Sequence, residues 1–121
     1  MIHYASLKVA DIERSGSFYD SILAPLGWRR QQEEDGRLIS WGMIKPEFFV
    51  VQDSSQSPGF GTISFPTKSI PAVKASFASG VENGGKPVAE PGAPPEFGRG
   101  NYAARLSDPD GYVVEICVSN P

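Results

Sequence analysis

Cysteine and histidine are almost missing from this chain of 121 residues: Cys117 and His3 are single occurrences. One cysteine cannot close an internal disulfide, so a reducing cytoplasm is the expected compartment. One histidine and one cysteine cannot build a zinc site of the ordinary Cys/His kind. Positive charge is also scarce, with 11 Lys and Arg against 14 Asp and Glu and a formal net charge of −3. Holding nucleic acid takes a basic stripe facing the phosphates, so no nucleic-acid partner is expected. No apolar run approaches the roughly 18 residues of a membrane span, and no charged head followed by an apolar stretch marks a signal peptide. What is present is ordinary: 40% hydrophobic and 21% charged residues, in a length that suits one domain with a real core.

Alternation predicts a first strand over His3 to Val9, with Ala5, Leu7 and Val9 on one face and Tyr4, Ser6 and Lys8 on the other. Asp11 can cap a helix from Arg14 to Leu23, whose apolar stripe is Ile12, Tyr19, Ile22, Leu23 and Leu26. Pro25 and Gly27 end it. Strands follow around Gly27 to Gln31, in "RLISWGMI" and in "EFFVVQD", before the polar linker "SSQSPGFG". The order then restarts. "TISFPT" reads as a strand, and a helix lies between Ser69 and Gly84-Gly85 with Val73, Phe77 and Val81 as its stripe. The Pro/Gly-rich passage "KPVAEPGAPPEFGRG" leads to the strand "NYAARLS", the turn "DPDG" and the strand "YVVEICV". "KPEFFVV" and "DPDGYVV" give the halves a shared late signature. The expected organisation is one domain over 1–121, made of pseudo-repeats at about 1–53 and 60–121 with a linker at about 54–59. A ferredoxin-like domain with chance repetition is the competing reading.

"LKVADIERSGSFYDSILAPLGW", "ISF" and "YAARLSDPDGYVVEI" together span nearly the whole chain in one order. In these pieces the chain resembles the vicinal oxygen chelate superfamily, which includes glyoxalase I, bleomycin-resistance proteins and extradiol dioxygenases. The resemblance implies an α+β fold of two βαβββ modules curving around a cleft, and a homodimer. The "DPDG" turn also has a purely structural reading. Pro109 fixes φ, Asp108 caps the turn and Gly111 supplies a positive φ.

In the family two His (or Gln) and one or two Glu from cleft-facing strand positions hold a metal. The resemblance puts Glu115 at the C-terminal carboxylate position, Thr62 at one His position and Tyr4 at the other. Alternation sends His3 to the face of Leu7 and Val9, because a one-residue slip would bury Lys8 and expose Leu7. For the first half's own carboxylate position the repeat offers Val51 or Gln52. The expectation is therefore no metal and no other cofactor. Should a metal be present, Glu115 and His3 are its candidates, through a bulge that turns His3 inward or through ligands from a dimer partner.

The expected ligand-binding face carries Tyr4, Ser6, Lys8, Thr62, Ser64, Arg105 and Glu115. Arg105 stands opposite or diagonal to Glu115, where it can fork onto a ligand carboxylate or phosphate, or simply neutralise Glu115. Some of Trp28, Trp41, Phe48, Phe49, Phe60 and Phe97 must line the cleft if it takes an organic ligand. The loop "PGAPPEFGRGNY" has the character of a substrate-shaping segment. Cys117 reads as a small packing residue. Two functions remain open: a bleomycin-resistance-like binder of a small anionic or aromatic molecule, or a lyase, isomerase or dioxygenase in which Glu115 serves as base.

Overall fold

The computed structural model describes residues 5–53, 61–93 and 102–118. The chain runs β1 (Ala5–Val9), α1 (Ile12–Leu23), a 3-10 turn (Ala24–Leu26), β2 (Arg29–Glu34), β3 (Leu38–Gly42) and β4 (Phe48–Gln52). It continues with β5 (Thr62–Thr67), α2 (Ile70–Glu82), β6 (Lys86–Gly92), β7 (Tyr102–Ser107) and β8 (Val113–Val118). Strand, helix and three strands thus occur twice. Each set forms its own four-stranded sheet, ordered β1-β4-β3-β2 and β5-β8-β7-β6. In both, the first strand lies parallel to the last and the other pairs are antiparallel. The fold is α+β, two βαβββ modules, and the ferredoxin-like alternative falls away.

Helix α1 begins at Ile12, directly after the Asp11 cap and two residues earlier than the expected Arg14. Asp11 caps it by accepting from the backbone N–H groups of Glu13 and Arg14, both at 3.1 Å. Gln52 supplies the rest: its Oε1 accepts from Ile12 N at 2.8 Å and its Nε2 donates to the Ala10 carbonyl at 2.6 Å. The expected stripe of Ile12, Tyr19, Ile22, Leu23 and Leu26 is buried throughout. Each large side chain buried there contributes roughly 1.5–3 kcal/mol.

Helix α2 turns a different face inward from the one its apolar residues suggested. Val73 is buried, but its buried companions are Ser76 and Gly80, while Phe77 is half-buried and Val81 is 37% exposed. The reason is proximity to α1. Ser76 Oγ donates to the Ile22 carbonyl at 2.7 Å, and a Cβ at Gly80 would lie 2.5 Å from Leu106 Cδ1 and 2.7 Å from Ile22 Cγ2. Small residues win because two backbones must approach each other.

Strand β6 was hidden in a Pro/Gly-rich passage that reads as loop. Pro87 and Pro91 are tolerated because β6 is an edge strand, paired only with β7 and irregular in register around Ala89.

One core serves both modules. Phe65 of β5 meets Trp28 edge-on at 5.6 Å and Phe48 of β4 at 5.1 Å. The "DPDG" turn adds a polar clasp. Asp108 Oδ1 accepts from the N–H groups of Asp110 and Tyr112, closing its own turn, and Oδ2 accepts from Tyr19 of α1 at 2.6 Å. Asp110 reaches the other way, accepting from Ala10 N at 3.0 Å, Ser15 Oγ at 3.0 Å and Arg14 at 3.3 Å. Gly111 supplies the positive φ of 100° that the turn needs. So this motif joins the second module to the first.

Candidate functional site

Both helices cover one face of their sheets, and the other face is the one that the resemblance assigns to a cleft. In β1, Leu7 and Val9 turn toward the core while Ser6 and Lys8 are exposed on the opposite side. In β5, Ile63 and Phe65 face the core while Thr62 and Ser64 are exposed. In β8, Val114 and Ile116 are fully buried, leaving Val113, Glu115 and Cys117 on the cleft face. His3, Tyr4, Phe60, Phe97 and most of the loop "PGAPPEFGRGNY" lie outside the described residues.

The centre of the site is a row across the second sheet. Arg105 of β7 pairs directly with Glu115 of β8, and Glu115 pairs directly with Ser64 of β5. Their side chains meet: Arg105 Nε donates to Glu115 Oε2 at 2.9 Å, and Ser64 Oγ donates to Oε1 at 2.8 Å. Glu115 keeps 12% of its side chain exposed and Arg105 34%. Of the two roles open to Arg105, neutralising Glu115 is therefore realised, and it fixes the orientation of the guanidinium at the cleft surface. Lys8 is exposed at the same face of β1, and Tyr112 Oη donates to its carbonyl at 3.2 Å. Cys117 is half-buried between Pro66 and Ala103 in register.

Strand register corrects one assignment. Ser6 pairs with Phe49 just as Ser64 pairs with Glu115. The first module's carboxylate position is thus held by Phe49, not by Val51 or Gln52. The Val-Val pairs of "KPEFFVV" and "DPDGYVV" suggested an alignment three residues away from the true one. Gln52 faces α1 and caps it, as described above. Among the named aromatics, Trp41 and Phe48 are core residues at 1% exposure, Trp28 packs on Phe65, and Phe49 stands on the cleft face.

Among the described residues, the donors at these positions do not make up a divalent-metal site. A divalent transition metal needs several imidazole or carboxylate groups converging on one point. The described positions offer Glu115 with both oxygens already accepting hydrogen bonds, the neutral hydroxyl of Thr62, and the ring of Phe49. Among the described residues no three His, Cys, Asp or Glu side chains cluster.

Titration is perturbed in the clasp. Burial raises the Asp108 carboxyl above its ordinary range despite the donors on it, and burial beside Asp108 holds the Tyr19 phenol well above its usual value. Tyr112 is raised as well, first by burial and then by the nearby Asp108 charge.

Solved structures share this architecture. A glyoxalase/bleomycin resistance protein from Albidiferax ferrireducens T118 is 26% identical with a TM-score of 0.83, covering 98% of both chains. A protein of Bacillus halodurans proposed to be a glyoxalase is 28% identical with a TM-score of 0.77, over 98% of this chain and 95% of that one. The lactoylglutathione lyase of Agrobacterium tumefaciens, 17% identical with a TM-score of 0.66 over 95% of this chain and 91% of that one, shares the fold alone. In structure, then, the chain resembles proteins of the vicinal oxygen chelate superfamily. Glyoxalase and bleomycin resistance proteins are among these likenesses. No family model and no curated protein matches the sequence. No described helix is long and apolar enough to cross a membrane.

Proposed function

We propose that this chain binds a small organic acid, with an aromatic or apolar body, in its cleft, and does so without a divalent metal. Tyr4, Ser6, Lys8, Thr62, Ser64, Arg105 and Glu115 are the proposed contacts. One observation carries the reading: the residue at the family's C-terminal ligand position, Glu115, has its two oxygens taken by Arg105 and Ser64. A carboxylate engaged in this way is a poor metal ligand. The same pair sets an arginine at the cleft surface, the side chain best suited to a carboxylate or phosphate. Phe49 and Val51 supply apolar surface on the other sheet. The proposal places the protein in the cytoplasm as a homodimer, for which scattering in solution should return twice 13.0 kDa.

Elemental analysis and thermal shift together test it. The expected result is substoichiometric Zn, Ni, Fe and Mn in the purified protein, and a raised Tm with aromatic carboxylates that is lost in Arg105→Met. Stoichiometric metal would overturn the reading in favour of a lyase, isomerase or dioxygenase using Glu115 and His3. An unchanged Tm across the carboxylates would overturn it too.

A further inference from the structure

Ser40 is fully buried in the middle of β3, and its hydroxyl has no hydrogen-bond partner. Its direction follows from its neighbours. Ile39 lies against Gly16 of α1, and Trp41 Nε1 donates to Asp20 of α1 at 2.9 Å. Both point to the helix layer, so Ser40 points to the cleft side. Its register is informative as well. Ser40 pairs directly with Phe49, as Arg105 pairs directly with Glu115. The two modules thus present matched rows, Ser6–Phe49–Ser40 and Ser64–Glu115–Arg105. One row ends in a guanidinium and the other in an unsatisfied hydroxyl. The amide of Gln32, across from Ser40 on β2, does not reach it. An unsatisfied buried hydroxyl costs free energy in the empty protein, where alanine would fill the place without that penalty.

We infer that Ser40 is a specificity-determining contact for the cleft ligand, and that the ligand is a hydroxylated aromatic acid. Its carboxylate meets Arg105, its ring lies against Phe49, and its hydroxyl exchanges a hydrogen bond with Ser40 Oγ. This rests on the reading of the cleft given above. Ser40 is fully buried, so the contact forms as the side chains that cover it make room for the entering ring. Because the Ser40 hydroxyl is unpaired before binding, a ligand hydroxyl that pairs with it gains a hydrogen bond that the analogue lacking it does not.

A thermodynamic cycle tests the contact. Benzoate and the 2-, 3- and 4-hydroxybenzoates are titrated calorimetrically into the full chain, wild type and Ser40→Ala. The wild type is expected to bind one hydroxybenzoate roughly fivefold or more tighter than benzoate, the value of one ordinary hydrogen bond. In Ser40→Ala that preference disappears while benzoate affinity stays the same. A preference that survives in Ser40→Ala overturns the inference, as does a wild type that prefers none of the three, a result independent of how the variant folds. Failure of all four acids to bind is a different outcome: it takes down the cleft reading itself, and this contact with it.

Discussion

Phe49 and Glu115 hold the same place in the two modules, each directly across from a serine of its module's first strand, Ser6 or Ser64. A symmetric metal site would want a carboxylate at both. Here one is an aromatic ring and the other is committed to Arg105. The two modules share backbone register here and differ in the side chains it presents. One row presents an aromatic ring at this place and the other a charged pair.

Replacing Glu115 by Gln tests whether its charge holds a metal. The amide keeps a carbonyl for one donor and loses the ion pair with Arg105. Metal content by elemental analysis should be the same substoichiometric value in both proteins, and the circular dichroism spectrum should not change. A metal found in the wild type and lost in Glu115→Gln would sink the account of this position.

Arg105→Met should cost about 1–3 kcal/mol in urea unfolding, between the small value of an exposed pair and the larger one of a fully buried pair. The cost comes from Glu115, only 12% exposed, left with Ser64 as its remaining partner here. The double variant Arg105→Met/Glu115→Gln removes that stranded charge and should recover most of the lost stability. It should not recover the thermal shift with carboxylates. A double variant that regains ligand response would show that Arg105 acts on the fold alone.

Much of this arrangement was legible from alternation alone. Burying Leu7, Val9, Phe65, Val114 and Ile116 forces Ser6, Lys8, Ser64 and Glu115 to the other face, and no long-range knowledge is needed for that. The misses came where tertiary contacts outweigh local pattern. Helix α2 rotates toward Ser76 and Gly80 because α1 approaches closely, which no single-helix stripe reveals. Strand β6 survives two prolines because its free edge needs no donors. The Phe49 equivalence is set by pairing register, and a repeated Val-Val dipeptide pointed elsewhere. Ser40 looked like any strand serine, since an unpaired hydroxyl is visible only once its surroundings are in place.

Gly80→Ala measures the helix approach directly. The added methyl would sit 2.5 Å from Leu106 Cδ1 and 2.7 Å from Ile22 Cγ2, closer than packed carbons allow. Higher helix propensity works in favour of alanine by up to about 1 kcal/mol. Overpacking typically costs about 1–3 kcal/mol and should win. Net destabilisation in chemical denaturation is expected, with the m-value unchanged. A stabilised variant would mean that α1 and α2 separate more easily than their packing implies.

The clasp of Asp108 predicts a pH dependence with a definite sign. Burial raises its folded carboxyl above the ordinary value of 3.8, so over the interval between the two the folded state holds a proton that the unfolded chain has released. Stability from this group is therefore fullest below 3.8 and declines as pH rises through the folded value, by up to about 1.4 kcal/mol per unit of the interval. Asp108→Asn cannot release that proton. Its Oδ1 still accepts from the N–H groups of Asp110 and Tyr112, and its amide can donate to the Tyr19 hydroxyl in place of accepting from it. Urea unfolding of both proteins from acid to neutral pH should give a difference curve that moves in favour of the asparagine variant as pH rises, then levels off. A curve moving the other way would mean that the donors on Asp108 outweigh its burial, and that the clasp gains strength on ionisation.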